Sequence, residues 1–309
     1  MSTAYIAINY ECNQKCRFCP CSQRARKYEY LRLEDLKEVI NELVNRDKIK
    51  HIVISGGEPT IHPEFIDIIR YLSLSNLRIT ILTNSEKFSD RNFSMKFIQQ
   101  VDVEKVSIIT TIHSHYLEKH EYANGTQGSF YRTIEGLKFL DQKGIGLIIK
   151  HCITVSNYKD LIQFYDFVDD HFSEDTAIQF CSIDYCGMEK DDLKREMLSF
   201  ISLKPYLEQV FDYHILRKES GSKRNIYCIN MPLCASDPCY WKFIQLRENL
   251  TYSFYLAPSK TGLKVDSYTS IDVDTLSKQC NKCKVKSICV GTYRSAFNYF
   301  GDKIVKAYV

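Results

Sequence analysis

The sequence predicts an α/β fold, a partial (β/α)6 barrel followed by a small, cysteine-rich C-terminal domain. Up to about Asp184, apolar runs that favour strands alternate with segments of helical period, which is typical of βα units on a parallel sheet. Six such units are too few to close an eight-stranded barrel, so we expect an open, TIM-like barrel. We place the boundary near Met188, so that residues 1–188 form the barrel and residues 189–309 form a helical linker and the small domain.

The predicted strands are apolar enough to be buried on both faces, as expected for a parallel sheet. They are Ala4–Asn9, His51–Ser55, Arg78–Leu82, Lys105–Thr111, Gly146–Thr154 and Ala177–Ile183. Helices are predicted between them where apolar residues recur every three or four positions. Such segments contain Leu36–Leu43, Phe65–Leu72, Phe130–Leu140 and Leu161–Phe167. In βα folds the chemistry gathers at the carboxyl ends of the strands, so we expect the site there.

The composition excludes several classes of protein. With 44% hydrophobic and 26% charged residues, the 309-residue chain can bury a core of normal size. A net charge of +3 is too small to indicate a nucleic-acid or membrane partner. The opening Met1-Ser2-Thr3 lacks the pattern of a signal peptide, and no apolar run is long enough for a transmembrane helix, so we expect a cytoplasmic protein. In that compartment, clustered cysteines among a total of thirteen favour metal ligands over disulfides.

Three of these cysteines follow the first predicted strand directly. Cys12, Cys16 and Cys19 form a C-x₃-C-x₂-C run, in which three thiolates can face one centre. Three protein ligands leave one iron of a [4Fe–4S] cluster without a protein bond, which suits a cluster that also holds a small molecule. Structural zinc usually takes four ligands in two pairs, and a thioredoxin-like site has C-x-x-C beside a redox fold, so the gap of three residues favours the iron–sulfur interpretation over both.

With Phe18 just before its last cysteine, this run resembles the signature of the radical S-adenosylmethionine (radical SAM) superfamily. The resemblance implies that Cys12, Cys16 and Cys19 hold a [4Fe–4S] cluster that binds S-adenosylmethionine (SAM). It also implies that Phe18 packs beside the adenine of SAM.

A second motif follows the second predicted strand, in Ser55–Thr60. Gly56 and Gly57 permit close approach of the backbone to a polar ligand. Together with Glu58 and Pro59, they resemble the GGE motif of the superfamily, one βα unit after the cysteine run. The resemblance implies that this backbone contacts the methionine amino group of SAM.

Further positions resemble the superfamily at the ends of later strands. Thr83 and Asn84 stand where members commonly have a Thr-Asn pair, and Thr111 stands where a recurrent S-L-x-x-H…G-S-F pattern has serine. We expect these three residues to contact SAM, the Thr111 hydroxyl at its ribose or carboxylate, although turn chemistry at strand ends also explains them. We assign no role to three nearby histidines, which we expect to be surface or loop residues: His113, His115 and His120.

The C-terminal part carries a second group of cysteines. Cys280-x₂-Cys283-x₅-Cys289 resembles the core spacing of the SPASM and twitch extensions of radical SAM enzymes, and Cys234 would provide a fourth thiolate. Four thiolates saturate a [4Fe–4S] cluster, so the resemblance implies one auxiliary cluster. Structural zinc is the alternative for this domain.

The match to a full SPASM domain is incomplete, because Thr292 stands close to where a further cysteine is expected. Cys228 and Cys239 are spare candidates that can replace one of the four ligands. The remaining cysteines lie near strand ends, and we expect them to be small buried residues rather than substrate contacts: Cys21, Cys152, Cys181 and Cys186.

The resemblance implies an enzyme in which a reduced cluster donates one electron to SAM. Cleavage yields methionine and a 5′-deoxyadenosyl radical, which abstracts hydrogen from the substrate. The electron would come from an external carrier such as flavodoxin or ferredoxin. We find no pattern for general acid–base catalysis, so we predict no catalytic residue beyond the cluster ligands.

The sequence leaves two classes of substrate open. Similar C-terminal extensions occur in enzymes that cross-link or epimerise ribosomally made peptides and in dehydrogenases of aminoglycoside-like alcohols, and we favour a peptide. The first strand begins at once, so we expect no peptide-recognition domain before it. A non-catalytic iron–sulfur electron carrier is a third alternative, but it would have no need of the Gly56-Gly57-Glu58 motif.

Overall fold

The computed structural model describes residues 3–19, 30–45, 48–184, 195–247, 253–259, 262–266 and 277–309. Its strands are β1 Thr3–Ala7, β2 His51–Ser55, β3 Arg78–Leu82, β4 Val106–Thr111, β5 Gly146–Cys152, β6 Ala177–Cys181, β7 Ile226–Ile229, β8 Ser253–Ser259 and β9 Gly262–Asp266. Its α-helices are α1 Leu33–Asn45, α2 Phe65–Ser73, α3 Arg91–Gln100, α4 Leu117–Asn124, α5 Ser129–Gln142, α6 Leu161–His171, α7 Phe200–Glu219 and α8 Arg294–Phe300. None of the helices in these ranges is both long and apolar enough to cross a bilayer.

One compact unit contains the described parts of residues 1–111, 124–148 and 251–270. Its strands lie in the order β5-β4-β3-β2-β1-β8-β9, with only the first residues of β5 in this unit. The pairs β1–β2, β2–β3, β3–β4 and β1–β8 are parallel, and β9 runs antiparallel to β8. Ala7 lies opposite Ser55, and Ile54 lies opposite Ile81. The residues that follow β1, β2 and β3 therefore emerge at the same edge of the sheet.

The other compact unit contains the described parts of residues 112–123, 149–250 and 271–309. In it, β6 lies between the end of β5 and the parallel strand β7. The fully buried Arg224 side chain holds this unit together. Its guanidinium pairs with Asp169 and donates to the backbone carbonyls of Thr176 and Phe172, so it joins the end of α6 to the segments before β6 and β7.

Local sequence explains where helices begin and which face they bury. α3 begins after Asp90, whose carboxylate accepts from the backbone N–H groups of Asn92 (2.9 Å) and Phe93 (3.3 Å). The predicted apolar face of α1 consists of Leu36, Val39, Ile40 and Leu43, of which Val39 is half-buried and the other three are buried.

The predicted strands are confirmed, since each overlaps one of β1–β6, but the number six is too low. β7 and β8 also join the parallel sheet, and β9 pairs with β8. β7 has only four residues, and Pro258 within β8 lacks the N–H that a central strand uses, so neither resembles a buried strand in sequence. The predicted boundary near Met188 lies outside the described residues, and the division into residues 1–188 and 189–309 stays a prediction.

Buried histidines predict how stability depends on pH. Burial lowers the pKa of His120 and of His151 to about 4 in each case. An unfolded chain takes up protons on both rings near pH 6.5, whereas the folded chain does not until about pH 4. We therefore expect the free energy of unfolding to fall as pH decreases through this window, by roughly 1 kcal/mol per pH unit for each ring.

The measurement is urea unfolding between pH 7 and pH 5, compared with His151→Phe, which keeps an aromatic ring packed on Phe164. The variant should lose less stability over this interval than the unchanged protein. His171→Gln is the control, because that ring is only half-buried. Equal pH slopes in the unchanged protein and in His151→Phe would contradict the expectation.

Candidate functional site

The cysteine run lies in the segment after β1, and the fold brings its three thiols together. Burial raises the pKa of Cys16 well above its usual range, and charge on Cys19 and Cys12 raises it further. The backbone turns tightly here, because Cys19 N–H donates to the carbonyl of Cys16 at 3.2 Å. Thiolates this close are unfavourable unless a positively charged metal centre compensates them. The donor set and its surroundings therefore fit an iron–sulfur cluster.

The glycine motif packs directly against the backbone that leads to these cysteines. Gly57 N–H donates to the Asn9 carbonyl (2.9 Å), and Glu58 N–H donates to the Glu11 carbonyl (2.8 Å). Gly56 has a φ of +146°, and a Cβ there would lie 2.1 Å from the Asn9 carbonyl oxygen. A Cβ on Gly57 would lie 2.2 Å from the Glu11 carbonyl oxygen. Both glycines are thus needed for the contact between these two backbone segments.

The Glu58 carboxylate joins the end of β2 to the end of β3. It is 1% exposed and accepts four hydrogen bonds, from the Thr60 N–H (2.9 Å), the Thr60 hydroxyl (2.6 Å), the Thr83 hydroxyl (2.6 Å) and the Asn84 N–H (2.7 Å). Burial raises the pKa of Glu58, and the four donors act in the opposite direction. The Glu58 side chain therefore positions Thr83 and Asn84.

The other predicted SAM contacts of this unit lie at or just after the carboxyl ends of β1, β2 and β4. Phe18 is buried in the cysteine segment, and Pro59 is buried at the start of a 3₁₀ turn after β2. Thr111 is the last residue of β4 and is half-buried. The structure thus gathers the GGE motif with Thr83 and Asn84 and places Thr111 at a strand end, while their contacts with SAM stay predictions.

Asn9 is a residue of this site that the sequence analysis missed. Its side-chain amide donates to the backbone carbonyls of Glu58 (2.9 Å) and Glu11 (3.2 Å), which locks the glycine motif to the cysteine segment. Its Oδ1 is buried and has no hydrogen-bond partner among the described residues. The signal in the sequence was that Asn9 is a polar residue at the end of the apolar run that forms β1.

The second cysteine group lies in the other compact unit. Cys234, Cys280, Cys283 and Cys289 line one cavity, together with Leu233, Gly291 and residues near the C-terminus. Burial, with a smaller contribution from charge on the other three thiols, raises the pKa of Cys234 to about 12. Backbone N–H groups of Leu233 (3.3 Å) and Gly291 (3.4 Å) donate to Cys289 Sγ, as is usual around cluster thiolates. The four thiols fit the donor set of a saturated cluster.

The spare candidates lie elsewhere. Cys228 is fully buried in β7 beside Cys181, and Cys239 is exposed in a 3₁₀ turn. The structure therefore gathers Cys234 with the C-terminal cysteines, although the ligand set itself stays a prediction. Within the described ranges, no three His, Cys, Asp or Glu side chains are placed to hold a single metal ion.

The remaining cysteines and histidines give a mixed outcome. Cys152 and Cys181 are buried, whereas Cys21 and Cys186 lie outside the described residues. The expectation that His113 and His120 are surface or loop residues is wrong as to exposure. Both are buried, and they contact each other. The His113 backbone N–H donates to His120 Nδ1 (3.3 Å), and the two ring centroids lie 5.5 Å apart.

Comparison with known proteins identifies the family. The model of the radical SAM superfamily matches residues 6–168. The AdoMet-dependent heme synthase of Oleidesulfovibrio alaskensis is 24% identical over 160 residues, which are 50% of this chain and 40% of that protein. The mycofactocin maturase MftC of Mycobacterium tuberculosis is 26% identical over 158 residues, which are 51% of this chain and 39% of that protein. The chain thus spans about two fifths of the length of these curated relatives.

A solved structure resembles nearly the whole chain. Streptococcus suis SuiB bound to the precursor peptide SuiA superposes with a TM-score of 0.66 at 13% identity, covering 99% of this chain and 74% of SuiB. At this identity the likeness concerns the fold alone, and it confirms the predicted α/β partial barrel. Because the family model covers more than half of the sequence, this chain belongs to the radical SAM superfamily.

Proposed function

We propose that this chain cleaves SAM reductively at a cluster held by Cys12, Cys16 and Cys19 and uses the resulting radical to modify a peptide. The superfamily uses a [4Fe–4S] cluster and SAM. When bound, the cluster supplies one electron that splits the sulfonium into methionine and a 5′-deoxyadenosyl radical. The observation that carries the proposal is the convergence of the three thiols with the backbone of Gly56 and Gly57 in one site.

The residues around the thiols would bind and orient SAM. The unpartnered Asn9 Oδ1 lies beside Gly56, where it can accept a hydrogen bond from the methionine ammonium group. Glu58 uses its carboxylate within the protein, so it would act by fixing the main chain around the cofactor. Phe18 offers an apolar surface for the adenine, and the Thr111 hydroxyl can contact the ribose or carboxylate.

A peptide is the preferred substrate because of what two similar proteins do. MftC is a mycofactocin maturase, and SuiB was crystallised with a precursor peptide. We further propose that the product is an oxidised peptide, as in a cross-link, that an external carrier of the flavodoxin or ferredoxin type supplies the electron, and that the protein acts in the cytoplasm. A small-molecule substrate is the second candidate, since the heme synthase is similar over the same share of the chain.

The test is anaerobic incubation of the iron-loaded protein with SAM and dithionite. We expect 5′-deoxyadenosine, detected by mass spectrometry, because an electron carrier without SAM chemistry would not form it. Short peptides encoded beside this gene are then added, and an aminoglycoside-like alcohol is added in a parallel reaction. A mass loss of two hydrogens in a peptide supports peptide oxidation, whereas a change in the alcohol alone supports the second candidate. Iron-loaded protein that forms no 5′-deoxyadenosine would overturn the proposal.

A further inference from the structure

Gln14 contacts two of the three cysteines. Its backbone N–H donates to Cys12 Sγ at 3.4 Å, and its side-chain Oε1 accepts from Cys16 Sγ at 3.5 Å. The other end of the same side chain leaves the cysteine segment, because Gln14 Nε2 donates to Glu86 Oε1 at 2.7 Å. The Gln14 side chain thus ties the cysteine segment to a carboxylate that is 72 positions away in sequence. The backbone N–H of the same residue can still donate to Cys12 Sγ when that sulfur is a thiolate ligand, whereas the contact from Cys16 Sγ exists only in the thiol form.

Glu86 is a buried charge held from two sides. Its side chain is 4% exposed, and its second oxygen accepts from Arg132 Nε at 2.6 Å. Arg132 comes from α5 and is 44% exposed, so water can reach the cation but hardly the carboxylate. A salt bridge with one buried partner is screened less than one between two exposed groups. The Glu86 carboxylate is also close enough to act electrostatically on both Cys12 and Cys16.

A second connection holds the same two segments together. The Glu86 backbone N–H donates to Asn84 Oδ1 at 3.1 Å, and Asn84 Nδ2 donates to Asn13 Oδ1 at 2.7 Å. Asn13 and Gln14 are therefore both tied to the segment after β3. The position of Glu86 relative to the cysteines is fixed by backbone and side-chain contacts, not by one flexible side chain.

We propose that Glu86 is a positioning residue for the cysteine segment, acting through Gln14, and that its charge lowers the reduction potential of the cluster bound there. Arg132 holds the carboxylate in place and partly compensates its charge. The inference rests on the proposed function, because it requires a cluster at Cys12, Cys16 and Cys19.

The sign of the effect follows from charge alone. Reduction transfers one electron from the external carrier to the cluster without breaking a protein bond, so the cluster becomes more negative. A nearby carboxylate makes this step less favourable, and a nearby guanidinium makes it more favourable. Removing the charge of Glu86 must raise the potential, and removing that of Arg132 must lower it. If the two substitutions only loosened the cysteine segment, the reduction potential would shift in the same direction in both variants.

The test is an anaerobic redox titration of the iron-loaded protein without SAM, in which the reduced cluster is measured by electron paramagnetic resonance at each potential. The relevant signal is the one absent from the Cys12/Cys16/Cys19→Ala variant. We expect E86Q to shift the midpoint to a more positive value and R132Q to shift it to a more negative one, while R132K stays near the unchanged protein. E135Q on α5 is the matched control, because it removes the same charge from an exposed position.

A second measurement tests the positioning without using the potential. Gln14→Met keeps the length of the side chain but removes its hydrogen bond to Glu86, which holds the Gln14 backbone N–H at Cys12. We therefore expect iron to leave for a chelator about tenfold faster, since removing a group that supports a metal ligand weakens metal binding. Gln99→Met, at an exposed position of α3, should release iron at the unchanged rate.

The outcomes separate this inference from the proposed function. If the unchanged protein shows no signal that depends on the three cysteines, the proposed function fails. If it shows that signal but E86Q titrates like E135Q, or E86Q and R132Q shift in the same direction, only the inference about Glu86 fails. If E86Q binds no iron, its midpoint potential cannot be measured. The shift in R132Q and the rate of iron release from Gln14→Met then test the inference. A positive R132Q shift together with unchanged release would then overturn it.

Discussion

Replacing Cys12, Cys16 and Cys19 together with alanine is expected to abolish SAM cleavage and to halve the iron content. The unchanged protein should bind two [4Fe–4S] clusters, about eight irons, because one site offers three thiolates and the other offers four. Without the three thiolates, no protein ligand remains at the first site, whereas the second lies in a separate compact unit. About four irons should therefore remain. Iron analysis and mass spectrometry of 5′-deoxyadenosine measure the two effects.

Cys239→Ala is the matched control. It removes an exposed thiol that belongs neither to the three cysteines after β1 nor to the four that line the second cavity. It should keep about eight irons and normal cleavage. Survival of cleavage in the triple variant would show that the cysteine run has been misinterpreted. An iron content near four in the unchanged protein, with zinc present, would instead contradict the auxiliary cluster.

The sequence was most informative where hydrophobic burial dictates structure. Strands β2 and β3 have the predicted bounds, since His51–Ser55 and Arg78–Leu82 are short apolar runs that only a two-sided burial explains. Local cysteine spacing was equally informative, because Cys280, Cys283 and Cys289 are close in the chain. The structure adds that Cys234, and not Cys228 or Cys239, lies with them.

Contacts between distant segments could not be predicted, because nothing in local sequence specifies a hydrogen bond across many residues. The link from Gln14 to Glu86 is one case, and the link from Asn9 to Glu58 is another. The resemblance assigned the backbone of the GGE motif to SAM but indicated no role for the Glu58 side chain. The buried carboxylate of Glu58 serves the protein itself, and the glycines are required by the neighbouring backbone before any ligand is considered.

The second large effect concerns the role of the C-terminal cysteines. If Cys234, Cys280, Cys283 and Cys289 saturate a cluster, substrate cannot bind its iron, so that cluster would accept or relay the electron left on the substrate radical. We therefore expect Cys283→Ala to lose most of the oxidised product while 5′-deoxyadenosine still forms. Cys280→Ala should behave in the same way, and Cys239→Ala should retain both outputs. Both are quantified in one reaction by mass spectrometry, after circular dichroism has shown that each variant is folded.

Each pattern of outputs corresponds to a different role of this cluster. Normal product from a variant that lacks the second cluster would refute electron acceptance, because the electron would then have left by another route. Loss of both outputs would indicate that the cluster holds its unit together, as structural metal centres do when binding and folding are coupled. A structural role is a real competitor because the four thiols line one cavity, which would be left unfilled without the cluster. A change in the spectrum of this cluster on addition of substrate would show an iron with an open position, and one of the four ligands would then be wrongly assigned.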